Sequence, residues 1–163
     1  MSNHPETIYQ HTLKELFDQQ LTPSEYSDDI DVFKRWLNIV LLTNPENPQY
    51  NALMGDILID EKQYEAAIPY LLQSLKQNPE NDNTEYQLGM AYYYTNRYAD
   101  TIPIMDKMLA IYPNDDDAEF MLAHSCMKMG QKSNALMIAK TMRRSELAAQ
   151  LKEHPEALQD FLL

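Results

Sequence analysis

Displaced by 34 residues, this sequence falls back on itself: Gly55 meets Gly89, Tyr64 meets Tyr98, Ile68 meets Ile102, Pro69 meets Pro103, Leu75 meets Leu109 and Pro79 meets Pro113. Agreement at so many places for one offset implies duplicated structure, in which each unit buries its apolar side against the next. The stretch from Asp82 to Asp115 reads as the middle unit, two short helices joined by a turn. A chain built this way is committed to an array of helix pairs.

The coinciding residues have physical tasks. Gly89, preceded by Leu88 and followed one turn later by Tyr92, falls in the middle of a helix, where glycine costs about 1 kcal/mol relative to alanine. That cost is understandable if the missing side chain lets a second helix approach closely, with Leu88 and Tyr92 filling the space on either side. Pro113 closes the unit, because it lacks a backbone donor and turns Tyr112 away from helical angles. Pro69 and Pro103 fall about one turn into their helices, where the lost donor costs less than in mid-helix and a slight bend is expected.

The period, the small residue inside the first helix, the aromatic opening the second and the closing proline together resemble the tetratricopeptide repeat family. The resemblance implies an all-α fold: a right-handed superhelix of antiparallel helix pairs, a solenoid, with a C-terminal capping helix. On this reading residues 1–163 form a single domain. A degenerate repeat spans 5–45, clear repeats span 48–81 and 82–115, a weaker one spans 116–144, and capping helices fill 145–163. In the degenerate repeat a helix over 5–20 carries the stripe Tyr9, Leu13, Leu16 and Phe17, and a second helix starts at Asp29 or Asp31 and ends near Leu42. Between them Thr22, Pro23 and Glu25 form either a capping box or part of an acidic loop. In the weaker repeat Ala123 replaces the glycine, Gly130 makes the turn and Lys132 replaces the tyrosine. Pro155 opens the last helix, whose Leu158, Phe161 and Leu162, with Leu151, cover the flank of the final repeat. The alternative is that the terminal Gln159–Leu163 segment docks into a neighbouring molecule.

Composition narrows the function. A chain of 163 residues with 44% hydrophobic content has material for a core. No apolar run approaches the roughly 18 residues of a membrane span, and the N-terminus lacks the basic start and apolar segment of a secretory signal. A cytoplasmic protein with a lone thiol, Cys126, is the expectation. The formal net charge of −12 repels phosphate backbones and anionic membranes, so neither nucleic acid nor membrane is an expected partner. The late lysines and arginines, Lys128, Lys132, Lys140, Arg143, Arg144 and Lys152, form either a solvated outer face or a docking place for an acidic partner.

No catalytic constellation emerges, and the chain reads as a non-enzyme without cofactor or metal. The three glycines, Gly55, Gly89 and Gly130, all have packing or turn roles, which leaves no phosphate-cradling loop. His124 and Cys126 stand two apart on one helix and point to different faces. Cys126 occupies the register of Tyr92, a packing place. His4 and His11 have no further ligand nearby for zinc. Asp115, Asp116 and Asp117 lack the alternation and glycine of a calcium loop and suit a helix N-terminus instead.

What remains is a surface. In the helix after Asp82, Tyr86, Met90, Tyr93 and Tyr94 fall within an arc of about 100°, opposite Leu88 and Tyr92. The family resemblance implies that this side lines a concave, peptide-holding groove. The matching places in the unit before are Gln49, Ala52, Asp56, Ile59 and Asp60; in the unit after they are Asp117, Phe120, His124, Met127 and Lys128. Tyrosine and methionine suit such a surface, one rigid and amphipathic, the other adaptable. The competing reading makes the aromatic stripe ordinary core.

The co-chaperone branch of the family grips a terminal carboxylate with basic and amide side chains. Ala52, Asp56 and Tyr86 stand where those would be, so that branch does not fit. In general design the chain is more similar to the small bacterial chaperones of type III secretion translocators. The expected function is non-catalytic binding of an apolar or basic partner segment, as an adaptor, assembly factor or chaperone. A homodimer through the terminal helices and an enzyme with an unrecognised site are the alternatives.

Overall fold

A computed structural model describes residues 30–141. The helix expected over 5–20, the cap near Thr22 and the capping helices expected over 145–163 lie outside the described residues. Seven helices follow one another: α1 (Ile30–Thr43), α2 (Pro48–Asp60), α3 (Tyr64–Gln77), α4 (Asp82–Tyr94), α5 (Tyr98–Ile111), α6 (Asp116–Lys128) and α7 (Lys132–Thr141). No strand occurs among the described residues, and each helix packs on the next. In addition α2 lies against α4, and α4 against α6, so the first helices of the pairs stand side by side as one layer. The fold is the all-α array of antiparallel pairs that the periodicity predicts.

Each first helix starts on the same device. The side chains of Asn47, Asn81 and Asp115, spaced by the repeat, accept hydrogen bonds from the backbone N–H of Tyr50, Thr84 and Ala118 at 3.0, 3.1 and 2.8 Å. These caps satisfy donors that a helix start leaves without partners.

Each first helix also ends on one device. Lys62, Asn96 and Gly130 take the left-handed conformation, with φ of 59°, 60° and 75°. The next residue then donates back over the helix end: Gln63 to the Leu58 carbonyl at 2.7 Å, Arg97 to Tyr92 at 2.8 Å and Gln131 to Cys126 at 2.8 Å. This is the Schellman arrangement, which satisfies the last carbonyls while reversing the chain into the second helix. Of the three turn residues only Gly130 was expected from its type.

Close approach within pairs has the predicted cause. A Cβ built on Gly55 would collide with the Leu71 side chain of α3, its Cγ at 2.8 Å. One built on Gly89 would meet Met105 and Ile104 of α5, the latter's Cγ2 at 2.7 Å. Leu71 and Met105 are fully buried, and burying such a side chain contributes about 1.5–3 kcal/mol, more than the glycine costs. Pro69 and Pro103 sit on exposed positions, and α3 and α5 run through them.

The core divides in two. Leu37, Met54, Ile57, Leu58, Ala67, Ile68, Leu71, Leu88, Ala91 and Tyr92 form one cluster. Tyr93, Met105, Ala118, Phe120, Met121, Leu122, Cys126 and Ala135 form the other. Helix α4 supplies both through successive residues, Tyr92 to the first and Tyr93 to the second. An ion pair between Lys34 and Glu61 ties α1 to the end of α2.

Two substitutions test these constraints. Gly89→Leu is expected to force α4 and α5 apart, at the 1–3 kcal/mol or so typical of overpacking; chemical denaturation with the wild-type midpoint would show the approach to be loose. Lys62→Gly is expected to stabilise by about 0.5–1 kcal/mol, because the relief of left-handed strain exceeds the entropy cost of glycine. A lower thermal midpoint for that variant would count against the strain.

Candidate functional site

The layer formed by α2, α4 and α6 carries every residue expected at a binding surface, but the structure sorts them into two groups. Tyr93, Phe120 and His124 are in the core, at 4%, 1% and 2% exposure. At these positions the structure follows the core reading of the aromatic stripe. The Tyr93 hydroxyl lies 2.6 Å from His124 Nδ1, and the Tyr93 ring meets Phe120 and His124 edge-on at centroid distances of 6.5 and 5.6 Å. Tyr98 of α5 meets the rings of both Tyr93 and His124, at 6.1 and 5.9 Å, so these aromatic groups pack on one another across α4, α5 and α6.

The second group reaches solvent. Tyr94 is 40% exposed and stacks on Tyr64 of α3 at 4.3 Å between centroids, with the ring planes 13° apart. Asp60 is exposed; Ile59, Tyr86, Met90 and Met127 are half-buried against the edges of the two clusters. The Tyr86 hydroxyl donates to the Asp115 carboxylate at 3.4 Å, linking this face to the cap of α6. Burial, reinforced by Asp115 and Asp117, pushes the Tyr86 hydroxyl well above its ordinary pKa. It therefore stays protonated and keeps its donor role.

Asp56 is half-buried, and its carboxylate accepts a hydrogen bond from the Gln87 side-chain amide of α4. Burial raises its pKa, the Gln87 hydrogen bond opposes the rise and the Asp60 charge adds to it. Asp56 also borders a cavity of about 210 Å³ between α2, the end of α3 and the start of α4. Ser74 lines the same cavity; it is 1% exposed, and its hydroxyl has no hydrogen-bond partner. Asn78, Asn81 and Asn83 complete a polar wall.

Sequence reasoning singled out Asp56 but not Ser74 or Gln87. The asparagines were visible as a cluster, yet asparagine at a repeat junction is equally a turn and capping residue, as Asn81 shows.

Cys126 is buried, and that burial raises its thiol pKa, the opposite of activation. No group of three or more metal-holding side chains occurs among the described residues. No helix among them is long and apolar enough to cross a membrane.

An all-α array of stacked antiparallel helix pairs is the class that this fold defines. Residues 48–81 match the tetratricopeptide repeat family model, so the resemblance first seen in the 34-residue period holds. Solved structures of MamA share the fold. A point mutant aligns with a TM-score of 0.65 and 25% identity, over 70% of this chain and 66% of its own, just under two thirds of that structure. MamA AMB-1 gives 0.64 and 25%, over 70% and 67%. MamA MSR-1 gives 0.62 and 24%, over 79% and 71%. No curated protein sequence matches the chain closely.

The raised Asp56 pKa has a consequence for stability. Because the folded state holds the proton more tightly than the unfolded chain, stability contributed by this group is present at low pH. It is lost as pH rises from the ordinary carboxylate value through the raised one. Asp56→Asn is therefore expected to raise the melting temperature at neutral pH and to flatten its decline above the ordinary carboxylate range. Parallel melting-versus-pH curves for wild type and variant would contradict the burial cost.

Proposed function

We propose that this chain is a non-catalytic adaptor, assembly factor or chaperone that holds an extended partner segment along the layer of first helices. One observation carries the reading: Ile59, Met90 and Met127 are half-buried and Tyr94 is exposed on α2, α4 and α6, the helices that stand side by side as one layer. Half-exposed methionine and tyrosine give contact area with little ordering cost and adapt to varied side chains. An apolar or basic segment suits a surface that combines these groups with Asp56 and Asp60, in a chain whose net charge is −12. A soluble, cytoplasmic setting accords with this reading.

A second reading, self-association, is favoured by Ile39 and Leu42 on α1 and by Leu136 and Met137 on α7, which are exposed near the two ends of the described array. The likeness to type III secretion chaperones gains no separate support from MamA.

Peptides selected from a random display library on the immobilised full chain test the groove. Tyr94→Ala is expected to weaken the selected peptides by about 1–3 kcal/mol, the loss typical of an aromatic anchor. Leu72→Glu, on the exposed side of α3, is expected to leave affinity unchanged. Calorimetry in which Leu72→Glu is the damaging variant, or a library that yields no binder, would overturn the proposal.

A further inference from the structure

The cavity beside Asp56 has features that helix packing does not require. Ser74 and Asp56 reach it from different helices, α3 and α2, and Gln87 of α4, outside the lining, donates a hydrogen bond to the Asp56 carboxylate. The Ser74 hydroxyl is buried without a partner, and so is the Gln87 side-chain oxygen. Leaving such a group unsatisfied is costly, so the unpartnered Ser74 hydroxyl in the wall marks a place whose hydrogen bonding is incomplete. The volume of about 210 Å³ exceeds by several times the roughly 30 Å³ that one water occupies in the liquid. It admits an extended side chain.

The chemistry of the wall selects the occupant. Asp56 is the sole charged residue among the described lining residues, and no lysine or arginine is among them. A carboxylate or phosphate would find no cation there and would meet the Asp56 charge. The Ser74 hydroxyl and the Asp56 carboxylate are acceptors from two helices, α3 and α2, with Asn78 and Asn83 beside them in the wall. Leu53 and Ala52 supply an apolar strip for a methylene stem. We infer that the notch between α2, α3 and α4 is a subsite for one lysine or arginine side chain of the partner segment, with Asp56 as its counter-charge and Ser74 as a hydrogen-bonding partner.

The inference rests on the groove reading and sharpens it. It gives the partner segment a basic residue at one fixed place and gives the junction of the repeats 48–81 and 82–115 the specificity. It also gives a reason for a half-buried carboxylate in a position that costs stability: a bound cation restores the charge balance that burial removes.

The test uses the full chain and the library-selected peptides. The selected peptides are expected to share a lysine or arginine at one position. Replacing it by norleucine, which keeps the stem and removes the charge, is expected to weaken binding about tenfold or more, as truncating a partner of a desolvated charge pair does. Asp56→Asn is expected to weaken the basic peptide by a similar factor and to leave the norleucine peptide unaffected, so that the double-mutant cycle shows coupling. Ser74→Ala, which removes one acceptor, is expected to give a smaller loss with the same dependence on the basic residue.

Circular dichroism keeps the comparison to folded proteins, and the notch prediction requires Asp56→Asn to bind worse while melting no earlier. Peptides that bind and depend on Tyr94 but have no fixed basic residue, or that are indifferent to Asp56→Asn, would overturn the subsite and leave the groove standing. A library that yields no binder would overturn both.

Discussion

Everything in this array depends on how closely the two helices of a pair approach. At Gly55 and Gly89 the space of a side chain is occupied by residues from the partner helix, Leu71 in one pair and Met105 with Ile104 in the next. A glycine in mid-helix weakens that helix in isolation, and the interaction offsetting the loss comes from the helix that follows. Local propensity and pair packing thus conflict at this position, and packing wins because each buried aliphatic group contributes more than the glycine costs. The third pair meets the same requirement with Ala123, which is fully buried.

The period was readable in the sequence because packing and chain reversal restrict residue type at fixed places. Glycines at the approach and prolines after the second helices leave a mark that survives a change of most other residues. The reversals were half readable. Gly130 announces a left-handed turn by its type, whereas Lys62 and Asn96 adopt the same backbone with side chains that give little or no such signal. Their conformation follows from the hydrogen bonds across the helix end, which sequence periodicity does not contain.

The candidate surface was less readable, and neighbouring tyrosines show why. A spacing of 3.6 residues puts Tyr93 and Tyr94 on one broad arc, but rings of neighbouring helices, His124 and Phe120 of α6 and Tyr98 of α5, pack on Tyr93. Tyr94 instead leans on Tyr64 and retains 40% exposure. The polar notch was hidden for a similar reason: Asp56 and Gln87 meet across 31 residues. Glutamine and serine are common on helix surfaces, so neither type signals such a meeting. Only contact between successive pairs turns scattered polar residues into a cavity.

The assignment of Tyr92 to one core cluster and Tyr93 to the other makes α4 a party wall. In an array whose units touch only their neighbours, cooperativity passes from one end to the other through such shared elements. Fraying at α1 leaves the cluster around Tyr93 intact, and fraying at α7 leaves the cluster around Tyr92 intact. Opening α4 removes a side from both at once. Its backbone amides are thereby tied to global unfolding, while those of the outer helices exchange through smaller local openings. A segment lying along the inner layer would grip the array at its least yielding helix, so occupancy would be felt as slowed exchange toward both ends rather than as a local tightening.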